Sequence, residues 1–149
     1  MEEMEPRWEK LLQIRTTGRD GTNADQYRYP YEPTPYCVLE RLAASGYIGR
    51  KQVLVDYGCA EEFELPDNAD RFYFFNPFSI EILQKVMGKV RESYYRNPRE
   101  LVFFFYYPSS AYLAYLMTEN FLEFEDEIDC QDLFPGENSR ERIMIFKSQ

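Results

Sequence analysis

The chain contains no histidine. That removes the commonest general acid–base residue and the commonest metal ligand. Cysteine is sparse: Cys37, Cys59 and Cys130 stand far apart, without the paired spacing of a zinc site or a disulfide framework. A reduced, cytoplasmic setting is the simplest expectation, with no bound metal. No apolar run approaches the roughly 20 residues of a membrane-spanning helix, and Met1-Glu2-Glu3-Met4-Glu5 is acidic rather than signal-like. No membrane association is therefore expected. Basic residues are outnumbered, 17 Lys and Arg against 26 Asp and Glu, for a net charge of −9. Such a balance argues against a partner held by a nucleic-acid backbone, which needs clustered cations.

Apolar residues, by contrast, are abundant, at 44% with 17% aromatic among 149 residues. A single folded domain with its own core is expected, as residues 1–30, an N-terminal arm and loop, followed by a core over 31–149. Residues 5–15 suit a short helix with Trp8, Leu11 and Leu12 on one face. Residues 16–26 are polar and rich in Gly, Asp and Asn, as in a loop. Thr34 suits an N-cap and Pro35 the first helical position, with Val38, Leu39 and Leu42 inward and an end at Gly46. Strands are expected at 52–57, 71–75 and 101–107; residues 71–75 are apolar on both faces, as in a sheet covered by helices on either side. Ser79 can cap a helix to about Tyr95, with Leu83, Val86, Met87, Val90 and Tyr94 at helical spacing, stopped by Asn97-Pro98. A shorter helix begins at Ser109 or Ser110 and runs to about Thr118. Residues 122–128 and 142–146 read as an antiparallel pair joined through Phe134-Pro135-Gly136. Helix and strand alternate through the middle, so the fold class is α/β with a mostly parallel sheet.

Gln52-Val53-Leu54-Val55-Asp56-Tyr57-Gly58-Cys59 opens like the first strand of a cofactor-binding α/β domain, with glycine at the turn where backbone approaches a ligand. Ala60 and Glu62 then stand where further glycines would follow. On spacing alone an ordinary strand-to-loop turn is the better reading. Together with Tyr31-Glu32-Pro33-Thr34-Pro35-Tyr36, Asp70-Arg71-Phe72-Tyr73-Phe74-Phe75-Asn76-Pro77-Phe78-Ser79 and Phe104-Phe105-Tyr106-Tyr107-Pro108, this segment resembles a small bacterial family of class I S-adenosylmethionine-dependent methyltransferases. The resemblance falls in two blocks, to Cys59 and from Ala60, as though roughly fifty residues were missing between them.

What the resemblance implies is a shortened Rossmann-like methyltransferase sheet with helices on both faces. Its strands would correspond to the family's first, fourth, fifth, sixth and seventh. In that family the first, fourth, fifth, seventh and sixth lie side by side, so loss of the second and third leaves a contiguous sheet. The first strand becomes an open edge, with exposed apolar surface and a homodimer as the expected consequences. The cofactor would be S-adenosylmethionine, held by the loop at Asp56, Tyr57, Gly58 and Cys59. Asn76-Pro77-Phe78 is similar to the Asn/Asp-Pro-Pro-aromatic substrate motif of amino-group methyltransferases, in which the Asn oxygen accepts from an amine and the aromatic ring stacks on the substrate. The alternative is that Asn76 and Pro77 make a turn, Ser79 caps the following helix and Phe78 packs. Tyr29, Tyr31, Tyr36 and Tyr107 could line the substrate pocket, or pack as a structural arm and core rim. The implied activity is methyl transfer to a small-molecule or protein acceptor, which needs placement rather than a base. The alternative is a non-catalytic remnant or interaction module that no longer binds cofactor.

Overall fold

The computed structural model describes residues 33–57 and 64–149. The expected helix at 5–15, the loop at 16–26, Tyr29, Tyr31, Gly58 and Cys59 lie outside the described residues. In chain order the elements are α1 (Tyr36–Ala44), β1 (Leu54–Tyr57), β2 (Arg71–Phe74), α2 (Ile80–Arg96), β3 (Val102–Tyr106), α3 (Ser110–Thr118), β4 (Leu122–Asp129), a 3-10 turn (Gln131–Leu133) and β5 (Arg142–Ser148). One five-stranded sheet has the order β1-β2-β3-β5-β4. β1, β2 and β3 run parallel, whereas β5 is antiparallel to both β3 and β4. This is the order expected for strands one, four, five, seven and six of the resembled sheet.

Alternation along the strands explains the two layers of core, since successive side chains point to opposite faces. Val55, Tyr57, Phe72, Phe74, Phe103, Phe105, Met144 and Phe146 face α2 and α3. Tyr73, Val102, Phe104, Tyr106, Ile143 and Ile145 face α1. Helices therefore cover both faces, as the doubly apolar strands require. On the α2 face the parallel register pairs Tyr57 with Phe74, and Phe74 with Phe105. Their rings stack at 5.0 Å and 4.6 Å, and Phe72 and Phe103 stack at 5.1 Å. Each such pair adds about 0.5–1.5 kcal/mol beyond area burial. α2 buries Ile82, Leu83, Val86, Met87 and Val90, the stripe expected from its spacing.

Two local expectations are corrected. Thr34 is not the cap of α1: its hydroxyl hydrogen-bonds the Tyr73 hydroxyl at 2.6 Å, and Pro35 occupies the N-cap instead, its carbonyl accepting from the Val38 N–H. A proline needs no donor there, so the helix starts one residue later than a threonine cap would place it. Leu39 points outward, at 36% exposure, because only Cys37, Val38 and Leu42 of α1 reach the sheet. Gly46, with φ 84°, follows the end of α1 in the left-handed conformation that glycine enters freely. β4 is an edge strand rich in carboxylates (Glu123, Glu125, Asp126, Glu127 and Asp129), with an irregularity between Phe124 and Asp126. Charge and bulges are how exposed edges avoid further pairing. At the other edge, among the described residues, β1 pairs only with β2 and leaves Leu54 44% exposed. No helix among the described residues is long and apolar enough to cross a membrane.

Candidate functional site at the carboxyl edge of the sheet

Three parallel strands in register bring their carboxyl ends to one edge, the usual location of ligands in open α/β sheets. Two residues there have backbone conformations rare for anything but glycine: Asn76, at φ 40° just past β2, and Tyr107, at φ 52° just past β3. Asparagine tolerates this region through its short polar side chain, whereas tyrosine does so only when its surroundings enforce it. Such outliers concentrate at ligand sites and switches.

The enforcement is visible. Asn76 Nδ2 donates to the Tyr107 carbonyl, and the Ser109 N–H donates to Asn76 Oδ1 at 3.2 Å. One amide thus ties the loop after β2 to the loop after β3. The Tyr107 N–H donates to the Arg142 carbonyl at 3.0 Å. Asn138 Nδ2 donates to the Tyr107 hydroxyl at 2.7 Å, and the Arg140 guanidinium lies 4.1 Å from the centre of the Tyr107 ring. Arg140 also donates from Nη2 to the Tyr107 carbonyl at 3.2 Å and from Nε to the Pro108 carbonyl at 3.3 Å. Ser109 then caps α3, its side chain accepting from the Tyr112 N–H at 3.2 Å. These contacts tie the antiparallel β4–β5 connection to the end of β3.

The residues singled out from sequence fare differently. Asn76 and Tyr107 come together, joined directly, and both are half-buried. Pro77 is buried beside them. Phe78 is fully buried, its ring edge-on to Tyr57 and Phe74, each 6.4 Å away. Its backbone is closed by Tyr112, whose hydroxyl donates to the Phe78 carbonyl and accepts from its N–H. The aromatic face that the substrate motif would offer to a ligand is therefore packed into the core. Tyr57 is likewise a core side chain, and burial pushes its hydroxyl up to about 12. Asp56, the next residue back, projects on the opposite face. Its side chain reaches solvent, yet the protein around it desolvates the carboxyl enough to raise it above the usual aspartate value. Tyr36 opens α1 and is half-buried.

Asn138, Arg140 and Tyr112 were not among the residues singled out from sequence. They lie about thirty residues from their partners, beyond the reach of local spacing. Tyr106, beside Tyr107 at the end of β3, is buried: its hydroxyl donates to Glu141 Oε2 at 2.5 Å, and burial, reinforced by that carboxylate, raises it far above the ordinary phenol.

No protein-family model, curated protein or solved structure matches this chain.

Chemically, the edge offers an oriented amide with one acceptor lone pair beyond that used by Ser109, an exposed guanidinium, and an exposed carboxylate on β1. Among the described residues no three His, Cys, Asp or Glu side chains are grouped to hold a metal.

Proposed function

We propose that this chain is an S-adenosylmethionine-dependent methyltransferase-like protein that takes a small acceptor at the carboxyl edge of its sheet. The observation that carries this reading is the strand order β1-β2-β3-β5-β4 with β5 antiparallel. It is the order the resembled sheet would retain after losing its second and third strands. The cofactor would lie beyond β1, against Asp56 and the residues that follow it, Gly58 and Cys59. The acceptor would approach Asn76, whose Oδ1 can take a hydrogen bond from an amine and keep its lone pair directed at the methyl group. Methyl transfer of this kind rests on alignment of nucleophile, methyl carbon and sulfur, so a chain without histidine can perform it. The cytoplasm, where the cofactor and reduced thiols coexist, is the setting we assign.

A second reading has its own observation. Phe78 is buried and both ends of the Asn76 amide already serve the fold. An edge organised in this way also suits a non-catalytic descendant that keeps the scaffold as an interaction module. A homodimer through the β1 edge belongs to this reading.

Calorimetric titration with S-adenosylhomocysteine separates the two. Saturable binding in the micromolar range, weakened in Asp56→Ala and Gly58→Val, supports the enzyme. Absence of heat from protein shown to be folded by circular dichroism leaves the interaction module.

A further inference from the structure

Arg140 differs from its neighbours in how its charge is met. The other arginines near this end of the sheet are in ion pairs: Arg41 with Asp132 at 2.5 Å and Arg142 with Glu127 at 3.1 Å. Arg140 has no carboxylate within ion-pair distance among the described residues. It lies over the Tyr107 ring, and among the described residues its side-chain hydrogen bonds, at 3.2 Å and 3.3 Å, go to neutral carbonyls. Nη1 makes none among the described residues, and the side chain is exposed. In a chain of net charge −9, a guanidinium held over an aromatic ring and left without a counter-charge among the described residues is an oriented fork for an oxyanion.

Its location gives that fork a role. Asn76 Nδ2 and Arg140 Nη2 donate to the same oxygen, the Tyr107 carbonyl. Two donors sharing one acceptor lie within about 6 Å of each other, twice a hydrogen-bond length. That is the span of a small metabolite. We propose that Arg140 recognises a carboxylate or phosphate on the methyl acceptor and so sets the nucleophile of that acceptor beside Asn76. This inference rests on the methyltransferase reading and narrows its substrate class to anionic small molecules. Arg140 is a specificity-determining residue here, and the bond-making step does not involve it.

The test uses the whole protein without cofactor, with the arginine Nε–H signals followed by nitrogen-15 NMR. Sodium phosphate and sodium succinate are titrated separately at constant ionic strength set with chloride. The expected result is a saturable shift of the Arg140 signal with at least one anion. The affinity should fall at least about tenfold in Arg140→Gln, as for loss of a charged bidentate contact. Arg140→Lys, which keeps the charge without the fork, should bind with intermediate affinity. Saturation by phosphate alone assigns a phosphorylated acceptor, and by succinate alone a carboxylate. The proposal is overturned if neither anion gives a saturable shift, or if binding is unchanged in a folded Arg140→Gln. The S-adenosylhomocysteine titration is run on the same samples. Because Arg140 contacts the end of β3, which β2 separates from β1 in the sheet, Arg140→Gln should leave it unchanged. Cofactor binding can thus fail while the anion shift persists, which overturns the methyltransferase reading and leaves the anion site standing.

Discussion

Asn76 offers the sharpest test of how the carboxyl edge is held. Replacement by alanine removes the bond to the Tyr107 carbonyl and the one from the Ser109 N–H, about 1 kcal/mol each. It also removes the short polar side chain that makes φ 40° tolerable for an L-residue, which adds roughly 1–2 kcal/mol. The expected loss is about 3–4 kcal/mol. Glycine loses the same hydrogen bonds but adopts the left-handed conformation without strain, so Asn76→Gly should be less destabilised than Asn76→Ala by about 1 kcal/mol. In a domain of this size that gap is roughly 2–4 °C in Tm. Urea unfolding followed by far-ultraviolet circular dichroism, with both variants at one pH, reads the difference. If glycine is as destabilising as alanine, or more so, the backbone of Asn76 is not under the constraint described and the reasoning fails.

Other consequences are simpler. Ser109→Ala removes the cap on the Tyr112 N–H and should lower stability by about 1 kcal/mol, measured by the same urea transition. Phe105→Ala empties a site between Phe74, Tyr112 and Phe146. The expected loss is about 3–5 kcal/mol, and a well-folded variant with an unchanged transition would contradict the packing. The Asp56 carboxyl is raised in the folded protein, so its ionisation opposes folding: its contribution is fully favourable below the unfolded aspartate value of about 3.9 and is lost as pH rises through the folded one. Asp56→Asn should therefore be more stable than the parent at pH 7, with the gap closing as pH falls towards 4. A parent that outlasts Asp56→Asn at pH 7 would show that the carboxylate is stabilised instead.

The elements most legible in the sequence were those whose pattern is set by burial. α2 declares itself through Leu83, Val86, Met87 and Val90, and β2 and β3 through unbroken aromatic runs that only a doubly covered sheet can accommodate. Sheet order was not readable from periodicity; it followed from the resemblance, and the observed topology agrees with it. The cap of α1 misled because threonine and proline are both good helix-start residues, and the Tyr73 hydroxyl, 39 residues away, decides which does what. At the edge, Asn76 was legible because asparagine after a strand signals a turn. The left-handed Tyr107 was not, since nothing in a tyrosine announces that conformation. Arg140 and Asn138 sit in a turn-rich stretch where a polar residue is unremarkable until β5 folds back beside β3. Phe78 was legible both as a ligand contact, by the resemblance, and as a packing residue; it packs, with Tyr112 closing its backbone.

The central claim is that the carboxyl ends of β1, β2 and β3 form a site for an S-adenosyl cofactor and its acceptor. The most direct measurement is a backbone amide NMR titration with S-adenosylhomocysteine. The account predicts saturable shifts concentrated at Asp56, Tyr57 and the residues around Asn76 and Tyr107. Shifts absent at saturating ligand, or centred on the opposite edge at Asp70, Arg99 and Leu101, would contradict it.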